Sequence, residues 1–133
     1  NFELKKGNYS YFVEDGVLTG EEELPKYSKG YWDNGNLKVL ATGSLYKNDQ
    51  GNTALDSGHA VFYFENGKIQ EQIDWEKKQI VAGKVWNENG ILIYEYDFPK
   101  YSKSYWDDGK PKEILVGILY RDDQGYFLVD SGR

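Results

Sequence analysis

Along most of the chain apolar and polar residues alternate with a period of two. In 60–73, AVFYFENGKIQEQI, a reversal at Asn66-Gly67 puts Ala60, Phe62, Phe64, Ile69 and Ile73 on one side of a folded-back ribbon. Val61, Tyr63, Gln70 and Gln72 fall on the other side. This is the pattern of a strand pair with one oily face. Asn-Gly and Asp-Gly favour a two-residue loop with positive φ at both central positions. The expected register therefore sets Phe64 opposite Ile69, Phe62 opposite Glu71 and Ala60 opposite Ile73. The same turn sets Trp32 opposite Leu37 and Trp106 opposite Pro111. Around Asn89-Gly90 it sends Trp86 to the other face from Leu92 and Tyr94, so a bulge or a shifted turn is expected there. The stretch most open to a helical reading is 70–79, QEQIDWEKKQ, and Ile73, Trp75 and Gln79 fit a helical stripe poorly. The chain reads as all-β.

The hairpins repeat. Residues 25–58 align without a gap on 99–132, with 19 of 34 positions identical, so a long unit of 74 residues is present. PKYSKGYWDNG at 25–35 returns as PKYSKSYWDDG at 99–109. Inside the long unit an aromatic or apolar run followed by an acidic or Asn pair and Gly occurs as FVEDG, YWDNG, YFENG, WNENG and YWDDG. The turn glycines at 16, 35, 67, 90 and 109 are spaced by 19, 32, 23 and 19, and the first three steps together span the long unit. Insertions at 46–58 and 120–132 read as a further hairpin tipped by Asp49-Gln50-Gly51 and Asp123-Gln124-Gly125. The expectation is one array over 1–133, with long units at about 8–81 and 82–133, the second incomplete. Its architecture is an elongated, curved single-layer sheet of tandem antiparallel β-hairpins. An uncapped last hairpin invites association with another chain or with further repeats.

Composition sharpens this picture. Aromatic residues reach 17%, which no disordered chain carries, while mean hydropathy is only −0.75. Much of the apolar surface must sit on amphipathic rings. A net charge of −6 argues against nucleic acid as a partner and against an anionic membrane surface. No apolar run approaches the length that spans a bilayer. With no cysteine, disulfides, thiolate catalysis and Cys-ligated metals are excluded. A Cys-free domain suits an oxidising compartment and is tolerated in cytoplasm as well, so an envelope or secreted location is favoured over a cytoplasmic one. The first residue is not Met, so a processed leader is part of that expectation.

Candidate chemistry is sparse. His59 is the only histidine and reads as a strand-end surface residue. The loops KNDQG and RDDQG, with Asp49/Asp56 and Asp123/Asp130 in register, offer oxygen ligands but lack the alternating acids and bidentate Glu of a calcium loop. Turn chemistry explains them without a metal. Glu71 with Asp74, or the run Glu21-Glu22-Glu23, could imitate a glycosidase pair, yet an open ribbon implies no enclosed pocket. No cofactor is expected, and the chain is read as no enzyme.

YFENGKIQEQIDWEKKQIVAGKVWNENGIL at 63–92 resembles the bacterial, second-variant form of the MORN repeat. Tyr63, Glu65, Asn66, Gly67, Ile69, Gly83 and Trp86 fall where that pattern has them, and YWDNGNLK and YWDDGKPK match its first half. The inserted hairpins and Pro111 depart from it. The resemblance implies a ribbon of hairpins serving as a binding or assembly module. A kinase label sometimes attached to such repeats finds no phosphate loop or metal-binding motif here.

The richest functional signal is aromatic. Neighbouring residues on a strand point to opposite faces, so Tyr31-Trp32 and Tyr105-Trp106 each offer one ring to each side, as does Tyr63 with Phe64. Tyr31, Trp32, Tyr63, Tyr105 and Trp106 are the expected binding residues. A protein partner or self-association is the first reading of their role. A glycan or cell-wall ligand module resembling choline-binding repeats is the second, and lipid headgroups are the third.

Overall fold

The structure, a computed structural model, describes residues 2–98 and 100–116 in full and the backbone strands at 118–121 and 127–130 beyond them. It is entirely β, with no helix among the described residues. Among the described residues thirteen strands run in chain order: β1 Phe2–Lys6, β2 Tyr9–Glu14, β3 Val17–Glu23, β4 Tyr27–Tyr31, β5 Leu37–Lys47, β6 Thr53–Tyr63 and β7 Ile69–Glu76. They continue with β8 Gln79–Trp86, β9 Leu92–Asp97, β10 Tyr101–Tyr105, β11 Pro111–Val116, β12 Ile118–Arg121 and β13 Phe127–Asp130. Strands β1 to β11 form one open antiparallel sheet in sequence order, and β12 pairs with β13 separately. Every strand of the large sheet thus neighbours the next in the chain, as tandem hairpins require. The 70–79 stretch is strand β7 followed by a tight turn at Lys77-Lys78, where both residues take positive φ, at 51° and 67°.

The turn type differs from expectation at every repeated Asn-Gly or Asp-Gly except the first. Asp15-Gly16 is a two-residue loop, with φ at 52° and 80° and Glu14 opposite Val17. At Gly35 the loop has three residues. Trp32 N–H donates to the Asn36 carbonyl at 2.8 Å, and Gly35 N–H donates back to the Trp32 carbonyl at 2.9 Å. Only Gly35 takes positive φ. The same two bonds frame Asn48–Asn52, Phe64–Lys68, Asn87–Ile91 and Trp106–Lys110. Each is a turn ended by a left-handed glycine; around Gly35, Gly67, Gly90 and Gly109 the extra loop residue offsets only the strand pair beside the loop, and a bulge just beyond that pair restores the register of a two-residue turn. Consequently Tyr63, not Phe64, faces Ile69, while Phe62–Glu71 and Ala60–Ile73 pair as expected. Likewise Tyr31 faces Leu37 and Tyr105 faces Pro111, in place of Trp32 and Trp106. Trp86 faces Leu92, so the anomaly expected at Asn89-Gly90 is this same shift, common to the whole family of turns.

A side chain selects the longer loop. Asn34, Asn66 and Asp108 each accept, through Oδ1, the backbone N–H two residues on, at 2.9 Å. That bond pins the residue before glycine in the right-handed region. In two loops the first residue does the work instead: Asn48 Oδ1 accepts from Gln50 and Asn52, and Asn87 Oδ1 from Asn89 and Ile91. Neighbouring loops are tied sideways as well. Asn34 and Asn36 donate to the Glu65 carbonyl at 2.9 and 2.8 Å, and Asn87 donates to the Asp107 carbonyl at 3.2 Å.

The insertion at 46–58 is a continuation of the β5–β6 hairpin past the edge of its neighbours. Asp56-Ser57-Gly58 lies within β6 and is no turn. Gly43 and Gly58 face each other in the two strands with φ of 129° and 133°. Beyond this pair the outer hairpin bends back over one face of the sheet. Leu45 N–H bonds the Pro25 carbonyl at 2.9 Å, and Leu45 becomes almost wholly buried. Lys47 and Thr53, from the two strands of the outer hairpin, both bond Glu22 at 2.7 Å. The covered row of that face runs Ser10, Glu22, Ser28, Ala41, Ala60, Ile73, Gly83, Tyr96 and Ser102 across nine paired strands. It holds most of the buried side chains, and the Tyr96 ring lies over Gly83. The sheet is thus the elongated, open one expected from the sequence, with the outer end of its longest hairpin folded over part of one face. The counterpart hairpin is β12–β13; its tip at 123–125, the glycine at 117 and the end at 131–133 lie outside the described residues.

Candidate functional site

The face opposite the outer hairpin is the open one. Strand alternation places Tyr9, Glu21, Glu23, Tyr27, Lys29 and Tyr31 there on β2 to β4. Seventy-four positions on, Glu95, Asp97, Tyr101, Lys103 and Tyr105 occupy the same places on β9 and β10.

In the first cluster Glu21 is the hub. Its two oxygens accept from the Tyr9 hydroxyl at 2.5 Å and the Tyr31 hydroxyl at 2.8 Å, and Lys29 Nζ stands 3.9 Å away. The two phenol donors, with a lesser contribution from Lys29, hold the Glu21 carboxyl below the ordinary carboxylate range against the opposing push of burial. The phenols respond in the opposite sense. Tyr9 is pushed up to about 12, first by its bond to Glu21, and Tyr31 to about 12, first by burial and then by the same bond. In the second cluster burial and the nearby Glu95 and Asp97 raise Tyr101, and Lys103 Nζ lies 4.7 Å from the Tyr101 ring centre. Lys29 sits over Tyr27 in the same way, at 5.3 Å. Lys84 reaches Glu95 at 3.8 Å.

The expected binding residues divide between the two faces. Tyr31, Tyr63 and Tyr105 each stand four positions before a turn glycine, on the open face. Trp32 and Trp106 stand three before it and project to the other face, along the line of turns. Trp32 donates its indole N–H to the Tyr63 carbonyl at 3.1 Å and carries Lys38 Nζ 4.7 Å over its ring. Trp106 has Lys112 at the same distance and is 54% exposed. Tyr31 and Tyr105 are six strands apart, about 29 Å at ~4.8 Å per strand, so the five residues form no single pocket.

Sequence reasoning missed Trp86. It occupies the same place before Gly90 as Tyr31 does before Gly35, and continues the aromatic series on the open face. Its spacing from glycine was the available signal, hidden by the assumption of a two-residue loop. Trp75 lies on the covered face beside Ala60 and Phe62.

Other candidate groups are dispersed. His59 lies inside β6 rather than at a strand end, 3.5 Å from Asp74 and more than half exposed. Glu71 and Asp74 point to opposite faces of β7, as do Glu22 and its neighbours Glu21 and Glu23 on β3. Among the described residues no group of three or more His, Cys, Asp or Glu could hold a metal, and no helix is long and apolar enough to cross a membrane.

The MORN repeat variant family matches residues 57–77, which span the inner half of β6, the loop at Asn66-Gly67 and β7. The match shows a MORN repeat element within an all-β repeat chain. No curated protein matches the chain.

Proposed function

We propose that this chain is a non-catalytic repeat scaffold that binds a protein partner through its tyrosine-bearing face. The observation that carries the reading is the doubled cluster: a carboxylate, a lysine and two tyrosines recur in register on β3–β4 and β9–β10. Tyrosine offers large amphipathic contact area at low conformational cost, which suits a protein surface. The spread of about 29 Å between Tyr31 and Tyr105 fits a macromolecule better than a small substrate. Tyr31→Ala combined with Tyr105→Ala is expected to abolish the partner complex with an unchanged far-ultraviolet dichroism spectrum; retained binding removes the reading. Self-association is one form of it, favoured by Phe2 and Leu4 on β1 and Ile114 and Val116 on β11, all exposed on the two outer strands of the large sheet. The lack of cysteine supports an envelope or extracellular location.

A second reading, glycan binding, is favoured by one observation: half-exposed Trp106 lines an open hollow with Ile93, Tyr105, Asp107, Asp108 and Lys112. A choline cage is disfavoured, because Trp32 and Trp106 are six strands apart and cannot converge on one cation. Tryptophan fluorescence titrated with oligosaccharides decides it: a flat titration removes the glycan reading.

A further inference from the structure

The outer β5–β6 hairpin does not close fully on the sheet. Between them lies a hollow of about 480 Å3, within the usual size range of small-molecule sites. Leu45 and Leu55 of the outer hairpin form its roof, and Ala60, Phe62 and Trp75 of the sheet its floor. Two features distinguish it from loose packing. The alanine floor keeps the space open where the neighbouring positions carry larger side chains. The rim carries Lys78, whose ammonium sits 4.6 Å from the Tyr46 ring centre. Among the described residues no carboxylate lies within ion-pair distance of Lys78, whereas Lys47 on the outer hairpin is engaged by Glu22.

The geometry points to a binding site for a small carboxylic acid with an apolar, preferably aromatic, body, its ring between the leucines and Trp75 and its carboxylate at Lys78. The hinge at Gly43 and Gly58 sets the height of the roof, and the bonds of Glu22 to Lys47 and Thr53 hold the roof down. Lys78 stands in the tight turn after β7 with φ at 67°, and its ammonium is placed at the rim by the Tyr46 ring. This inference is independent of the protein-binding face, which lies on the other side of the sheet.

The test is calorimetric titration of the intact chain with 3-phenylpropionate and with its cationic counterpart 3-phenylpropylamine. The acid is expected to bind, and the amine to bind at least about tenfold more weakly, the factor that one charge-assisted contact carries. Lys78→Asn removes the charge while suiting the left-handed turn, and is expected to weaken the acid by about tenfold; Lys78→Arg restores it. Ala41→Leu, on the β5 floor of the hollow, is expected to block binding with an unchanged dichroism spectrum. Tyr31→Ala with Tyr105→Ala leaves the acid's affinity unchanged. Equal binding of acid and amine, indifference to Lys78→Asn, or no heat at millimolar acid each overturns the proposal, as does a titration that reports only dimerisation of the chain.

Discussion

Gly43 and Gly58 face one another across β5 and β6, each with φ near 130°, and a methyl group on either would run into the backbone of the opposite strand. The approach is too close for any side chain, and the dihedral is one that L-residues rarely adopt. This pair turns a long hairpin into a sheet strand pair plus a folded-back cover. Gly43→Ala or Gly58→Ala is expected to cost about 2–4 kcal/mol, combining strain with displaced backbone. Gly35→Ala, where positive φ is needed but space is open, is expected to cost about 1 kcal/mol. Urea unfolding of the three variants checks the ranking.

Glu22 fastens the cover and should make stability depend on acid. Burial opposes its charge, but the bonds from Lys47, Thr53 and Ser28 outweigh burial and hold the carboxyl below its ordinary value of 4.5. A carboxyl with a lowered folded pKa stabilises above its unfolded pKa, and that contribution is lost as pH falls through the folded value. Glu21 behaves the same way. Glu71 has the reverse sign: it sits between Phe62 and Val85, and burial raises it, so ionising it costs stability as pH rises through its range. Unfolding free energy is expected to decline as pH drops from about 5 toward 3. Glu22→Gln should flatten that slope and cost about 1–3 kcal/mol at neutral pH. Glu71→Gln should gain stability there.

The Glu21 hub predicts a graded change in phenol ionisation. For Tyr9 the bond to Glu21 is the main cause of the rise to about 12, whereas for Tyr31 burial comes first. Glu21→Gln is therefore expected to lower both titrations, Tyr9 further than Tyr31. Absorbance at alkaline pH in Tyr9→Phe and Tyr31→Phe backgrounds separates the two.

Identical letters predict unequal roles in the turns. FENG at 64–67 uses Asn66 to cap the loop, but NENG at 87–90 uses Asn87. Asn66→Ala and Asn87→Ala are each expected to cost about 1 kcal/mol, and Asn89→Ala a few tenths at most. Denaturation midpoints of the three variants measure it.

The sequence alone made the strand content and the hairpin order legible, because a period of two and five glycine-ended turns are local signals. Loop length was not, since Asn-Gly serves both turn types and the choice rests on whether an Asx oxygen reaches the backbone two residues on. That one ambiguity moved Trp32 and Trp106 away from their expected partners and concealed Trp86. The cover over Glu22 was also hidden. LATGSLYKN reads as an ordinary strand and Asp56-Ser57-Gly58 as a turn before the next one, until Gly43 meets Gly58, fifteen residues on in the chain. The paired tyrosines were visible in the repeat, but the carboxylate joining Tyr9 to Tyr31 lies on a third strand.

Oxidative footprinting of aromatic side chains in the partner complex, read by mass spectrometry, tests the binding face most directly. Protection is expected at Tyr31, Tyr63, Trp86 and Tyr105, with Trp32 and Trp106 as reactive as in the free chain. Protection confined to Trp32 and Trp106, with the tyrosines unchanged, would contradict the account.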